Sequence, residues 1–413
     1  MDSFGVLPWG PRRGRLSFVR VVASVVAAAA LAPVALAGAA PASPATVLGI
    51  VSADGNRQLV RLDAVTLQRS SAPAVPIPTV YGPAFRSPDR SQLVVAANDS
   101  PSLEFVDVER MQALGRMTPA KAGTIQLIAW PQQDRVYALG WGCCPVRTDV
   151  LVIDPAERAV VARVPLGGTE VSEAPSADGV AVLTAPLKGI GAARLLDVSR
   201  EGTARRATLT RIRVGSKWRT VNVQPVGTIR QPGFTADPAG RHGYVVDAGG
   251  LVADVDLATL GVSYHAARSF ARAEKQVTGP MRHARWVGDG RIAVSGIDAQ
   301  RRKTRNGWRE VWAPAGLKLL DTGSWSSQTV DAKASWFIPS TDSVLVVAGG
   351  HLTAYGLDGG LRYRLPVSAQ AYVDVHGKYA YVWDEKTVTV VEAASGAVVA
   401  TMPKPDVWLV PGD

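Results

Sequence analysis

The chain has 413 residues, 47% of them hydrophobic and only 19% charged, with a formal net charge of +10. This apolar share excludes a disordered chain, and 40 glycines and 28 prolines with no triplet period exclude collagen; coiled-coil patterning is absent too. A large buried core is therefore expected.

Residues 1–37 read as a secretory signal. Arg12, Arg13, Arg15 and Arg20 form a basic leader, Val21 to Leu36 is an apolar run of small residues, and Ala35-Leu36-Ala37 is an A-x-A cleavage site. The run falls short of the roughly 20 residues that span a bilayer, so cleavage is expected over a retained anchor. The segment Arg12-Arg13-Gly14-Arg15-Leu16 matches a twin-arginine signal only in part, because Arg15 stands at the usual Phe position, which favours the general secretory route. No Cys follows the run, so a lipid anchor is not expected. Residues 38–45 form an Ala/Pro linker, and residues 46–413 form one domain with no later segment able to span a membrane. The expected location is secreted, periplasmic or on the cell envelope. Without residues 1–37, which carry four Arg and one Asp, the net charge is +7.

From Thr46 onward one unit recurs. A turn signal precedes an apolar strand, a second apolar strand ends in an acid, and a polar strand follows. The acids are Asp63, Asp107, Asp154, Asp197, Asp256, Asp321, Asp358 and Glu392, spaced 34 to 65 residues apart. Most spacings approach the roughly 40–50 residues of a propeller blade, and the two longest, after Asp197 and Asp256, signal insertions. The turn signals include Ser87-Pro88-Asp89, Asp237-Pro238-Ala239-Gly240 and Gly288-Asp289-Gly290. No stretch shows helical periodicity. The expected fold is all-β, a β-propeller of four-stranded blades. Eight blades are counted, and seven would result from one misread unit. The first unit lacks its innermost strand and Val407-Trp408-Leu409-Val410 lacks a unit, so the two chain ends are expected to pair and close the ring. The acids are read as turn caps that accept backbone N–H groups, since eight equivalent copies suit a structural repeat better than catalysis.

The acid-turn copies Val152-Ile153-Asp154-Pro155-Ala156-Glu157-Arg158-Ala159-Val160-Val161 and Val391-Glu392-Ala393-Ala394-Ser395-Gly396-Ala397-Val398-Val399 resemble the YVTN family of secreted β-propeller repeats. That family overlaps in fold with the quinoprotein amine dehydrogenase β-chain-like propellers. The resemblance covers residues 46–410 as a degenerate pattern; Tyr244-Val245-Val246-Asp247 is the nearest echo of Tyr-Val-Thr-Asn. It implies a propeller in an exported bacterial protein and no particular reaction, because the family includes surface proteins, binding scaffolds and some enzymes. Asp321-Thr322-Gly323-Ser324-Trp325 resembles the tryptophan-docking turn of quinone-dependent alcohol dehydrogenases, but reads first as an ordinary Asp-Thr-Gly turn.

Function is expected on the face where the long, irregular loops gather. Three basic stretches lie on that face or run toward it: residues 202–219, 268–286 and 300–312. Together they carry a net +14 against −7 for the rest of the mature chain. The candidate ligand contacts are Lys217, Trp218, Arg301, Arg302, Lys303, Arg305, Trp308 and Trp312, with Trp141 beside the cysteine pair. Arg and Trp supply ion-pairing and anchoring area, which suits an anionic partner. A merely solvated charged face is the competing reading. Nucleic acid is not expected, since the chain is exported and no nucleic-acid module is visible.

The two cysteines, Cys143 and Cys144, are adjacent. An oxidising destination favours a bond between them, with pairing between chains or two free thiols as alternatives. Vicinal disulfides occur in quinoprotein dehydrogenases, so the resemblance also points to the bond. The five His are scattered without metal-ligand spacing, and neither a nucleophile elbow nor a phosphate-binding Gly loop is present. No catalytic residue, metal or cofactor is assigned. The first reading is a non-enzymatic, exported binding or scaffold propeller that engages an anionic envelope component or a protein. The alternative is an extracytoplasmic oxidoreductase or lyase with its site at the central channel mouth.

Overall fold

The computed structural model describes residues 45–413 apart from 54–55, 78–79, 98–100, 120–122, 142–147, 222–223, 268–276, 305–306 and 411–413. The described residues form strands, turns and loops, with no helix among them. The strands fall into eight antiparallel sheets that follow one another along the chain as the blades of a propeller. The acid-marked repeat therefore gives eight blades.

Blade 1 is built from both ends of the domain. Its inner strand is Val407–Leu409, and its remaining three strands are Thr46–Ala53, Asn56–Asp63 and Val75–Ile77. Gly49 pairs with Leu409, Ile50 with Trp408 and Val51 with Val407. The N–H of Val410 then donates to the carbonyl of Leu48 at 2.9 Å. This is the closure that the orphan C-terminal strand implies.

The core is divided among the blade interfaces. Eight buried apolar clusters lie one between each pair of neighbouring blades, including the last and the first. Both faces of each sheet are thus covered, so the middle strands read as unbroken apolar runs. Val180, Ala181, Val182 and Leu183 are all fully buried, and alternate residues face blade 3 and blade 5.

The acid column accepts backbone N–H groups as expected at six of its eight positions. Asp63 Oδ1 accepts the N–H of Val65 and Thr66 at 3.0 and 2.7 Å, and Asp154, Asp256 and Asp321 repeat the arrangement. Asp107 and Asp358 each accept one such N–H, and Glu392 holds the Ser395 hydroxyl at 2.7 Å. Asp197 is the correction. It lies inside the strand Gly189–Ser199, 3% exposed and ion-paired to Arg205, two residues ahead of the turn. Ser199 caps instead, its Oγ accepting the N–H of Glu201 and Thr203.

The carbonyls beside these acids receive side chains from the preceding blade. Arg61 donates to Val108 at 2.7 Å, Arg205 to Leu257 at 2.6 Å, Tyr363 to Ala393 at 3.0 Å and Tyr381 to Ala64 at 2.6 Å. Each tie links a blade to the next, and the Tyr381 tie crosses the ring closure.

Candidate functional site at the loop face

The two long spacings are two β-hairpins that project beyond their blades. The outer strand of blade 4, Ala204–Val221, outruns its partner strand and folds back through Gln224–Arg230. The second strand of blade 6, Arg291–Thr304, likewise continues into Gly307–Pro314. Both leave on the side opposite the acid turns. They are joined through the inner strand of blade 6, Val277–Gly288: Gln231 bridges Met281 in parallel, the Gln231 N–H donates to Pro280 at 3.0 Å, and the Arg282 N–H donates to Gln231 at 2.8 Å. The result is one ridge over blades 4 to 6.

Most of the sequence candidates lie on this ridge. Lys217 stands opposite Thr228 and is exposed, and Trp218 stands opposite Gly227. In the second hairpin Arg301 faces Glu310, Arg302 faces Arg309, Lys303 faces Trp308 and Ala299 faces Trp312. Trp312 is 48% exposed. Trp141 is not on the ridge; it ends the second strand of blade 3, half-buried against the cluster shared with blade 4. Arg305, Cys143 and Cys144 lie outside the described residues.

Part of the basic charge serves the scaffold. Arg206 donates to the Pro165 carbonyl at 2.8 Å, Arg213 to Ile190 at 3.1 Å, and Arg211 lies 5.1 Å over the Tyr264 ring. Arg282 is buried and donates to Asp298 at 2.7 Å and to the Met281 carbonyl at 3.0 Å. Trp325, in the turn singled out in the sequence, stacks on His265 of blade 5 at 3.9 Å with planes 7° apart. The Asp321 turn is an ordinary cap that also delivers an inter-blade aromatic contact.

The inner strands add groups that the sequence does not mark. The inner strand of blade 4, Thr169–Ser176, carries Glu170 and Glu173. Three residues apart, they would point to opposite faces of a regular strand. A bulge between Glu170 and Ser172 leaves Val171 unpaired and turns both carboxyls to one side. Burial raises the proton affinity of Glu170, and the charge of Glu173 and the hydrogen bond to it add to this. Burial also raises Glu173, offset by the Glu170 hydrogen bond and by the charge of Arg285. Both carboxyls thus hold protons more tightly than exposed glutamates do.

Two blades along, His283 is pushed down to about 4 by burial and then by Arg285 and Arg282, so its imidazole is neutral at neutral pH. Its ring meets Trp336 edge-on at 4.4 Å, and Trp336 is 54% exposed. Between these blades the inner strand Gly233–Ala236 starts with a glycine, where a Cβ would come within 2.9 Å of the Ala284 backbone nitrogen. On blade 8, burial pushes Asp374 up to about 6, partly offset by the Trp383 indole. Among the described residues, no group of three His, Cys, Asp or Glu side chains could hold a metal ion.

No family model matches the chain, and no curated protein matches it by sequence. Solved structures do resemble it. A dihydro-heme d1 dehydrogenase, NirN, in complex with DHE superposes with a TM-score of 0.55 at 13% identity, covering 87% of this chain and 74% of that one. Apo AztD from Citrobacter koseri superposes with a TM-score of 0.50 at 11% identity, covering 87% of this chain and 96% of that one. At these identities the likeness is one of fold, and the fold is the β-propeller. Among the described residues no helix is long and apolar enough to cross a membrane.

Proposed function

We propose that this chain is an exported binding propeller of the YVTN type, holding an anionic envelope polymer or protein along the ridge of blades 4 to 6. One observation carries the reading. Both insertions leave the same side of the scaffold, and the inner strand of blade 6 ties the base of the first to the strand that carries the second. Arginine and aromatic residues carried by paired strands would supply charge attraction and contact area. The test replaces Arg301, Arg302, Lys303 and Arg305 together by Gln and compares retention on polyphosphate and on envelope fractions. The variant should elute at lower salt, and wild-type binding should weaken as salt rises, since exposed charges are screened over about 8–10 Å at physiological ionic strength. Equal retention of both proteins overturns the reading.

A second reading places a small ligand or a reaction at the channel. The Glu170 and Glu173 carboxyls, raised by burial, and His283, lowered by burial, favour it, because groups displaced from their ordinary protonation gather at functional sites. The NirN structure holds DHE on a related fold. Metal analysis and an absorption spectrum of protein from its own host test this reading. A stoichiometric metal or chromophore lost in Glu170→Gln/Glu173→Gln supports it, and a colourless, metal-free and active binding protein removes it.

A further inference from the structure

Both faces of a blade are covered by its neighbours, so an inner strand meets solvent only along the central channel and at its two ends. An exposed side chain on such a strand therefore stands at the channel. Trp312, Trp336, Tyr372 and Trp408 are exposed aromatic side chains. Trp312 is on the second hairpin, whereas the other three stand along the channel on the consecutive blades 7, 8 and 1. Tyr372, 52% exposed, opens the inner strand of blade 8, Tyr372–His376, at its ridge-side end; the strand then runs down to the turn at 377–378. Trp408, 39% exposed, is one residue in from the ridge-side end of the blade 1 inner strand. Trp336 leads into the inner strand of blade 7, Ile338–Pro339, and its edge contact with His283 sets it against the inner strand of blade 6.

We propose that the ridge-side mouth of the channel binds an uncharged oligosaccharide. A sugar ring presents a face of C–H groups that packs on aromatic rings, and a rim of hydroxyls that both donate and accept hydrogen bonds. The mouth offers a partner for each. The Tyr372 ring is backed by the fully buried Trp383, with planes 11° apart and centroids 6.1 Å apart, so its exposed part is held in place by packing. The exposed Lys404 adds an ammonium donor at this rim, 5.8 Å from the centre of the Tyr372 ring. In a ring of eight, blade 4 faces blade 8 across the channel, and its inner strand carries Glu170 and Glu173. Glu173 and His283 both feel the charge of the exposed Arg285, so polar groups of blades 4 and 6 meet in the same space. Carboxyls that hold protons and a neutral imidazole each donate and accept, and the guanidinium adds donors. Side chains kept near neutrality suit a hydroxyl-rich ligand better than a polyanion. Aromatic surface with a few convergent polar groups is the usual lining of a small-ligand site. The site requires neither a polyanion on the ridge nor a metal or chromophore in the channel, so it stands or falls separately from both readings above.

The experiment applies the full mature chain to an array of neutral oligosaccharides built from hexoses and N-acetylhexosamines, with uronic-acid and sialylated glycans beside them. Retention on at least one neutral class is expected, and the best binder is then titrated by calorimetry. Tyr372→Ala and Trp336→Ala should each weaken its binding by roughly three- to tenfold, the loss expected for one aromatic contact. Tyr372→Phe keeps the ring and should keep most of the affinity, which separates stacking from the hydroxyl. Trp336 lies in a loop outside the sheets, so its variant reports on binding even if Tyr372→Ala does not fold. Leu361→Ser, at an exposed apolar position on the outer strand of blade 7, should bind as wild type does. Retention of no neutral glycan, retention of acidic glycans alone, or binding unchanged by both Tyr372→Ala and Trp336→Ala overturns the proposal. So does an equal loss of binding in Leu361→Ser.

Discussion

The Tyr381 hydroxyl, buried at the junction of blades 8 and 1, is the only donor drawn from one end of the repeat to the other in the series of inter-blade ties described above. Tyr381→Phe keeps the ring and leaves the Ala64 carbonyl without that donor. The cost of a buried unsatisfied acceptor is about 1–3 kcal/mol, so a melting temperature lower by a few degrees is expected. A variant that melts like wild type would show that the tie adds no net stability. The Glu170 and Glu173 pair gives a pH signature. Glu170 is pushed up to about 8 in the folded protein, against about 4.3 in an unfolded chain. Between these values the folded state binds more protons than the unfolded one, so stability contributed by this site falls as pH rises from about 5 to 8. Melting curves at several pH values should show the fall, and Glu170→Gln/Glu173→Gln should flatten it above pH 6, where Asp374 no longer contributes. His283 acts in the opposite sense and only in acid, its contribution being lost as pH drops from about 6.5 toward 4. A pH-independent difference between the proteins would refute the raised proton affinity of the pair. Such residues are not legible in the sequence. Glutamates three apart on a strand read as facing opposite ways, and the bulge that reunites them depends on pairing with the next strand.

Turns and hairpins were more legible, though unevenly. The acid cap is a local interaction, so the acid itself marks the turn. Its partner feature is hidden: the fourth residue after the acid adopts a left-handed backbone, and Leu67, Met111, Arg158, Leu260 and Trp325 take that conformation where glycine would be the usual sign. Asp197 misleads because Ser199 provides the cap and frees the acid for Arg205. The insertions show in the spacing of the acids, but their hairpin form does not, since Arg302 opposite Arg309 gives no apolar alternation to read. Replacing residues 301–310 with Asn-Gly should keep Gln300 opposite Val311 across a two-residue turn. That protein should melt within a few degrees of wild type and lose binding to polyphosphate. Loss of cooperative unfolding would instead make the hairpin part of the scaffold.

At the scale of the whole molecule, the eight apolar layers form a continuous circuit, and the circuit is complete only through Val407–Leu409. Deleting residues 404–413 removes the inner strand of blade 1 and uncovers Leu48 and Val47, which lie in layers on both sides of that blade. A large fall in melting temperature is expected, and an unchanged one would show that seven blades and a fragment suffice. This closure was readable because it is a counting argument: one unit is short of a strand and one strand has no unit. The arrangement also has a temporal consequence. In a chain that leaves the ribosome or a translocation pore in order, Thr46–Ala53 emerges early and its inner-edge partner emerges some 350 residues later, so for most of synthesis that edge stands unpaired. The intermediate with the greatest tendency to associate is therefore almost a whole ring, and a chaperone or a crowding neighbour would meet it just before the last strand arrives.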